Sequence, residues 1–518
     1  MSHRKTPTQL LKEESISLLK KKSSRSLIPS KSKISRTKLK KLELKIQGRL
    51  IFPWSPDYNQ YKNDFSNTYP TDPQIIALVE NYNDIRELLS FANSIDLWTV
   101  IRSGGHSLAD YSVCDGLVID LRNLNSIYVD YNNKTVTVDS AVLFGNLNGH
   151  LESYGLHLPG GGCPTVAVAG YMMGGGYGLT SRTFGMNCDN VLAVTVMLAN
   201  GGIVVANESQ NEDMYWAIRG GTGGNFGVLL NITYRVYELG NIFGVKIDWD
   251  INDNLPDAAR ALYTMQNELL TQDKYPNFGM QIPITMDTDR HRKVMFRGTW
   301  VGDQASLEAA IQPLTSLNGA SDIQIKNGKY STINGWLLEG VPNIPHTVQT
   351  NAFTRSMYID HQLGTSDWEA ILSYFMKTAP NDYTMIDLEF YGGRINEFPI
   401  ENSAFIHRNV QMDFFCDALY NSITNDREAN KIWLEGFFNF LAQYGNGHSY
   451  QNYPNRNQRD YRWAYWGNYY TQLVTIKNKY DPDNFFRYQQ SIGPDAEMKE
   501  MKDQKILFKE TKIVYEPY

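Results

Sequence analysis

The spacing of apolar and polar positions changes period several times along the chain. "ALVENYNDIRELLSFANS" sets its apolar residues three and four apart and predicts a helix over 77–94. The next run, "LWTVIRSGG", is short and β-branched and closes on glycines, which predicts a strand. "GLVIDLRNLNSIYVDYNNKTVTVDSAVLFGNLNGHLESYG" reads as three strands and a helix, with a hairpin at "DYNNKT". Two more strands meet on the Asn-Gly-Gly turn of "NVLAVTVMLANGGIVVANES". Beyond about residue 240, strand-like runs such as "QIPITMD" and "RKVMFRGTWVG" alternate with helical patterns such as "DWEAILSYFMKT". That predicts an antiparallel sheet backed by helices.

These shifts predict five segments: a basic, disordered or weakly helical tail over 1–48, a first domain over 49–240, a second over 241–445, a C-terminal segment over 446–495 returning to the first domain, and an extension over 496–518. The length, 518 residues, exceeds one typical domain. Charge sharpens the picture. The first 45 residues hold 14 Lys/Arg against 3 Asp/Glu, so they carry +11 and leave −17 for the remainder. An acidic body makes nucleic acid an unsuitable main substrate, and the basic tail is the segment suited to an anionic partner. The 32 tyrosines offer rigid area with a polar tip, suited to polyhydroxylated or aromatic ligands. Cys114, Cys163, Cys188 and Cys416 have neither CxxC nor metal-ligand spacing, so neither a disulfide framework nor a metal site is expected. No run approaches about 18 consecutive apolar residues, so no membrane span is expected. The N-terminus lacks the apolar stretch of a secretory signal, which favours a soluble intracellular protein.

The chemistry concentrates in "LHLPGGGCPTVAVAGYMMGGGYGLTSRTFG", residues 156–185, and in "VIRSGGHSLADYS", residues 100–112. Glycine runs let backbone N–H groups approach a phosphate closely. Neither G-x-G-x-x-G nor G-x-x-x-x-G-K-[ST] is met: "GGGYGLTS" lacks the third glycine, and Phe226 takes that position in "GGTGGNFG". Two glycine loops about 60 residues apart suggest a different cradle, wrapped around one extended pyrophosphate. Taken singly, His106 reads as a histidine after a Gly-Gly turn and Cys163 as a small buried hydrophobe.

"RSGGHS" followed by "GGGCPTVAVAGYMMGGGYG", with "WAIRGGTGGNFGVL" and the closing "YQNYP…YWGNYY…LVTIKNKYDPDNFFRYQQSI", resembles the FAD-linked oxidases of the vanillyl-alcohol-oxidase superfamily. Within it the match is to the berberine-bridge-enzyme-like and oligosaccharide-oxidase branch, over roughly residues 65–495. The resemblance implies an α+β fold: a PCMH-type FAD-binding domain of two α+β subdomains plus a substrate domain with an antiparallel sheet backed by helices. It implies FAD attached through both His106 and Cys163, and a cradle at Arg102, Ser103, Gly104, Gly105, Ser107, Val166, Gly170, Gly174, Gly175, Gly176, Gly178 and Asn484. A neutral imidazole and a thiolate are nucleophiles that can add to an oxidised flavin ring.

The same resemblance implies oxidation of a small-molecule alcohol, a sugar or oligosaccharide, with O2 as acceptor and H2O2 as product. The alternatives are a dehydrogenase or tailoring oxidase on an aromatic, alkaloid or polyketide alcohol and, as a lesser reading, a non-catalytic binding or structural flavoprotein. Tyr450, opening Tyr450-Gln451-Asn452, would be the base, with Tyr177 in the site. Glu389 is the expected partner of Tyr450 and Asp387 the reserve, where some relatives carry a lysine. Val166, three residues after Cys163, would leave room for O2. Departures from the branch are Ala167, Leu108, Tyr469-Tyr470 and Gln472.

Overall fold

The computed structural model describes residues 34–269, 274–287, 289–339, 341, 350–421 and 426–493. The first sheet comprises β1 (Arg49–Ile51), β2 (Ile75–Leu78), β3 (Thr99–Arg102) and β4 (Leu117–Asp120), in the order β1-β2-β4-β3. β2, β4 and β3 run parallel and β1 closes the edge antiparallel. Every residue of β2 and β4 is buried, as expected of a parallel sheet covered on both faces. The helix Tyr82–Ser94 begins where the Asn81 side chain accepts from the Asn83 and Asp84 N–H groups. It buries Ile85, Leu88, Leu89 and Ala92, the stripe its apolar spacing predicts.

The expectation of a disordered or weakly helical tail through residue 48 is corrected here. The helix Arg36–Glu43 lies on the first sheet's core, with Leu42 3% exposed and Ile34, Leu39 and Ile46 packed beside it. The buried Asp84 carboxylate accepts from the Gln47, Gly48 and Glu80 N–H groups and ties that segment down. Four apolar residues at helical spacing were masked by the surrounding lysines and serines. Residues 1–33, which hold most of the basic tail, and the extension beyond 493 lie outside the described residues.

The second sheet contains β5 (Ile127–Asp130) and β6 (Thr135–Asp139), and a short ribbon begins at β7 (Leu156–His157). β8 (Val191–Met197), β9 (Ile203–Asn207) and β10 (Val228–Arg235) complete the order β5-β6-β10-β8-β9, and β11 (Tyr237–Glu238) pairs with β7. Lys134, at φ 51°, closes the β5–β6 hairpin, and Gly201, at φ 82°, closes β8–β9.

The third sheet is antiparallel and seven-stranded. Its strands are β12 (Ile242–Asp250), β13 (Phe278–Met286), β14 (Arg292–Trp300), β15 (Ser321–Gly328), β16 (Thr350–Ile359), β17 (Met385–Phe390) and β18 (Met412–Asn421). Their order is β15-β12-β14-β13-β17-β18-β16. Alternation divides its faces. Ile282, Ile284, Ile386, Leu388, Phe414 and Cys416 pack with Leu262, Trp368 and Phe437 of the covering helices. The opposite face presents Gln281, Asp387, Glu389, Asp413 and Phe415. The C-terminal segment returns to the first lobes. Lys477, buried with Asp481 at 2.7 Å, also donates to the Phe486 carbonyl, and the Trp98 indole donates to the Arg487 carbonyl. Helices and sheets thus combine in the α+β architecture expected of the resembled branch.

Candidate active site

A cavity of about 660 Å³ lies among the glycine loops, the polar face of the third sheet and the C-terminal segment. Its volume falls in the range of small-molecule and cofactor sites. One end of its wall is backbone. Ser103, Gly104, Gly105, Ser107, Gly170 and Gly178 line it, joined by Gly161, Gly162, Gly223 and Gly224. Gly104 is required there: a Cβ on it would stand 2.8 Å from both the Cβ and the nitrogen of Ala167. The methyl of Ala167 therefore packs against the 103–105 turn.

His106 and Cys163 meet on this wall. The His106 Nε2 lies 3.0 Å from Thr165 Oγ1, and the Cys163 Sγ lies 3.3 Å from the same oxygen. Phe65 stacks on the imidazole with ring centroids 4.4 Å apart, and its N–H donates to the Gly105 carbonyl at 2.7 Å. Burial pushes the imidazole down to about 4, so it is neutral at pH 7 and keeps a lone pair. Cys163 is exposed, whereas Cys114, Cys188 and Cys416 are buried and their thiols pushed up by burial. The reading of Cys163 as a small buried hydrophobe is thereby excluded. Val166, half-buried, lines the same wall.

Tyr450 stands at the other end, where its oxygen accepts three bonds: from the Gly176 N–H at 2.8 Å, the Tyr177 N–H at 3.2 Å and the Asn452 side-chain amide at 3.0 Å. Two successive N–H groups can share one acceptor because Gly175 and Gly176 take φ of 117° and 85°. A Cβ on Gly174 would sit 2.0 Å from Asn452 Oδ1. A neutral phenol has two lone pairs and a phenolate three, so three donors match the phenolate. Burial and the Glu389 charge act the other way and push the Tyr450 phenol up.

The acidic partners differ from expectation. Glu389 accepts from the Tyr453 hydroxyl at 2.7 Å, not from Tyr450, and burial raises its carboxyl to about 8. Near neutral pH it is mostly protonated, so its charge opposes the Tyr450 phenolate little. Asp387 accepts from Gln281 at 2.7 Å and is pushed well up by burial and by Glu389. Tyr177 lines the cavity, yet its hydroxyl reaches the Met280 and Phe390 carbonyls, so it braces the third sheet.

Several residues assigned to the cradle stand behind it. Arg102 is not among the cavity-lining residues; it is buried against Asp120 at 2.8 Å and the Tyr61 carbonyl at 2.6 Å. Gly174, Gly175 and Gly176 also lie off the wall and shape the Tyr450 oxygen's pocket instead. Asn484, at φ 49°, belongs to a turn whose Asp481 carboxylate accepts from the Phe485 and Phe486 N–H groups; Phe486 lines the cavity, but Asn484 does not. Sequence reasoning missed Thr165, Phe65, Tyr171, Tyr453, Gln281 and Phe415. Thr165, Tyr171 and Tyr453 lay inside motifs already singled out; the others depend on tertiary pairing.

The wall fits FAD: close-approach backbone at one end, two nucleophilic side chains on one hydroxyl, and a polar sheet face opposite. Comparison with known proteins agrees. A family model for an FAD binding domain matches residues 73–207, and one for berberine and berberine-like proteins matches residues 449–493. An uncharacterized FAD-linked oxidoreductase of Bacillus subtilis (strain 168) is 26% identical over 462 residues, 87% of this chain and 98% of its own. The chitooligosaccharide oxidase of Gibberella zeae is 24% identical over 496 residues, 91% of this chain and 96% of its own. Among solved structures, Physcomitrella patens BBE-like 1 superposes with a TM-score of 0.79 at 25% identity, over 88% of this chain and 98% of its own. With both family matches in chain order and relatives aligned nearly end to end, this chain carries an FAD binding domain and a berberine-like C-terminal segment and is similar over nearly its whole length to the FAD-linked oxidoreductases of the berberine-bridge-enzyme-like family.

Proposed function

We propose that the chain holds FAD through two covalent links, at His106 and Cys163, and oxidises the carbinol of a sugar-like substrate with O2 as acceptor. The observation that carries this reading is the convergence of both nucleophiles on Thr165 Oγ1, in a cavity whose far end presents Tyr450. Bound there, the flavin supplies a two-electron acceptor that takes a hydride and passes both electrons to O2, which leaves as H2O2.

Tyr450 takes the hydroxyl proton as the carbinol becomes a carbonyl. The Gly176 and Tyr177 N–H groups and Asn452 hold its oxygen and stabilise the phenolate form. Tyr177 fixes the loop that supplies one of those donors by anchoring its own ring to the third sheet. Glu389, protonated at neutral pH, serves as a polar wall and as the acceptor that orients Tyr453. Asp387 lies beside it on the same strand face, held by Gln281. Val166 keeps the wall beside Cys163 narrow and leaves a small apolar gap for O2.

The test is anaerobic mixing of the purified holoprotein with a panel of sugars and oligosaccharides, followed by air and a peroxide assay. Bleaching of the flavin by one or more sugars, with stoichiometric H2O2 on reoxidation, is the expected result. A flavin that no alcohol in the panel reduces would overturn the reading.

A further inference from the structure

The sheet face that closes the cavity carries carboxyl groups with no base among the described residues to balance them. Asp387 and Glu389 lie on β17, Asp413 and Asp417 on β18, all directed to one side, and Glu389 pairs across to Asp413. Asp387, Glu389 and Asp417 line the cavity. Asp387 is 2% exposed and Glu389 4%, and Asp387 Oδ1 and Glu389 Oε2 have no hydrogen-bond partner. The groups acting on Asp387 are Glu389 and Asp417, both negative when ionised. The one arginine of the cavity wall, Arg487, is engaged elsewhere, with the Phe485 carbonyl and Asp96. Aromatic rings complete the enclosure. Phe415 stands between Asp413 and Asp417 on the same strand face and packs on Tyr453 at 4.2 Å, and Tyr453 packs edge-on against Tyr450 at 5.1 Å.

Crowded together and buried, these carboxyls hold their protons, and a cation entering among them offsets the cost of ionising them. Aromatic faces add attraction for an ammonium. A neutral polyol would find the two unpartnered oxygens but would leave the cluster unbalanced. An anionic sugar would oppose that ionisation and gain no ion pair.

We propose that this end of the cavity receives a protonated amine, so that the substrate is an amino alcohol or amino sugar with its ammonium against Asp387 and Glu389 and its carbinol at Tyr450. The inference rests on the oxidase reading for the carbinol, and on the sheet face alone for the ammonium. One aromatic ring, Tyr453, separates Glu389 from Tyr450, which places the amine within a few bonds of the carbinol carbon.

The holoprotein is titrated with cyclohexylammonium, which has no carbinol, with cyclohexanol, and with cyclohexanecarboxylate, each read by perturbation of the flavin absorbance. Glucosamine and glucose are then compared as anaerobic reductants. Cyclohexylammonium is expected to bind at least about tenfold tighter than the carboxylate, and Asp387→Asn to weaken it by about tenfold or more while leaving cyclohexanol within about twofold. Glucosamine is expected to reduce the flavin with the higher kcat/KM. Affinity for cyclohexylammonium that Asp387→Asn and Glu389→Gln both leave unchanged would overturn the proposal. If glucose and glucosamine reduce the flavin equally well, the oxidase reading stands and the ammonium site falls. If the cation binds as expected and no alcohol reduces the flavin, the site stands and the oxidase reading falls.

Discussion

The two ends of the cavity are built by different means. The attachment end is made of backbone. Glycines let loops 103–105 and 161–162 close in, and His106 and Cys163 stand on them at a half-buried or exposed surface. The sheet end is made of side chains. Asp387, Glu389, Asp413 and Phe415 are buried on paired strands, and Tyr450 arrives from the C-terminal segment. A loop site of this kind depends on local conformation, so it is written into short contiguous motifs. The sheet site depends on register between strands, and its electrostatics arise from burial that no motif records.

Substitutions can separate the two ends. The largest effect is expected at the sheet end. Tyr450→Phe removes one hydroxyl and leaves the ring, so flavin content should hold while anaerobic reduction slows about 10²–10⁴-fold, as for loss of a general base. Reduction within about threefold of the parent would remove Tyr450 from that role. At the attachment end, Val166→Leu adds one methylene to a packed wall and should slow reoxidation by O2 about tenfold while leaving reduction unchanged. If stopped-flow traces show the leucine slowing reduction instead, Val166 belongs to the substrate's surroundings and not to an oxygen gap.

A subtler contrast lies in stability against pH. The carboxyl of Glu389 is raised by burial from its ordinary 4.5 to about 8, so the folded state holds its proton more tightly than the unfolded chain does. Its contribution is complete below about pH 4.5 and is lost as pH climbs through 8. Glu389→Gln should therefore match the parent near pH 4.5 and melt about 2 °C or more above it near pH 9. A difference of melting temperature that is flat between those pH values would show that Glu389 is not buried as an acid. The smallest effect lies far from the cavity. Leu42→Ala, in the N-terminal helix, should lower stability by about 2 kcal/mol and leave flavin reduction untouched. An unchanged melting temperature would restore the view of residues 34–48 as a tail.

How much of this was legible in the sequence follows from the same contrast. The helix that proves to span 82–94, its first expected turn belonging instead to β2 and a loop, the hairpins and the helix-backed antiparallel sheet were readable because each rests on local periodicity. The meeting of His106 and Cys163 was implied by the resemblance of the two glycine-rich motifs to the berberine-bridge-enzyme-like branch, not by their composition. Thr165, which bonds both, sat unremarked two residues from Cys163 because a threonine after a proline carries no signal by itself. Tyr453 as the partner of Glu389 was not readable, since strand β17 and the segment after Tyr450 meet only in the folded chain. The same holds for Gly174, Gly175 and Gly176. Their composition suggested phosphate binding, whereas the positive φ of Gly175 and Gly176 and the close approach of Gly174 to Asn452 show them shaping the pocket of a phenolic oxygen. The N-terminal helix was hidden by composition, because four apolar residues stand among lysines.

The central claim is that His106 and Cys163 each hold the flavin. The most direct measurement is the absorbance of the polypeptide after acid precipitation and washing, for the parent, His106→Ala, Cys163→Ala and the double variant. The account predicts a yellow pellet for the parent and for each single variant, and a colourless pellet with all flavin in the supernatant for the double variant. A yellow pellet from the double variant, or a colourless one from the parent, would contradict it.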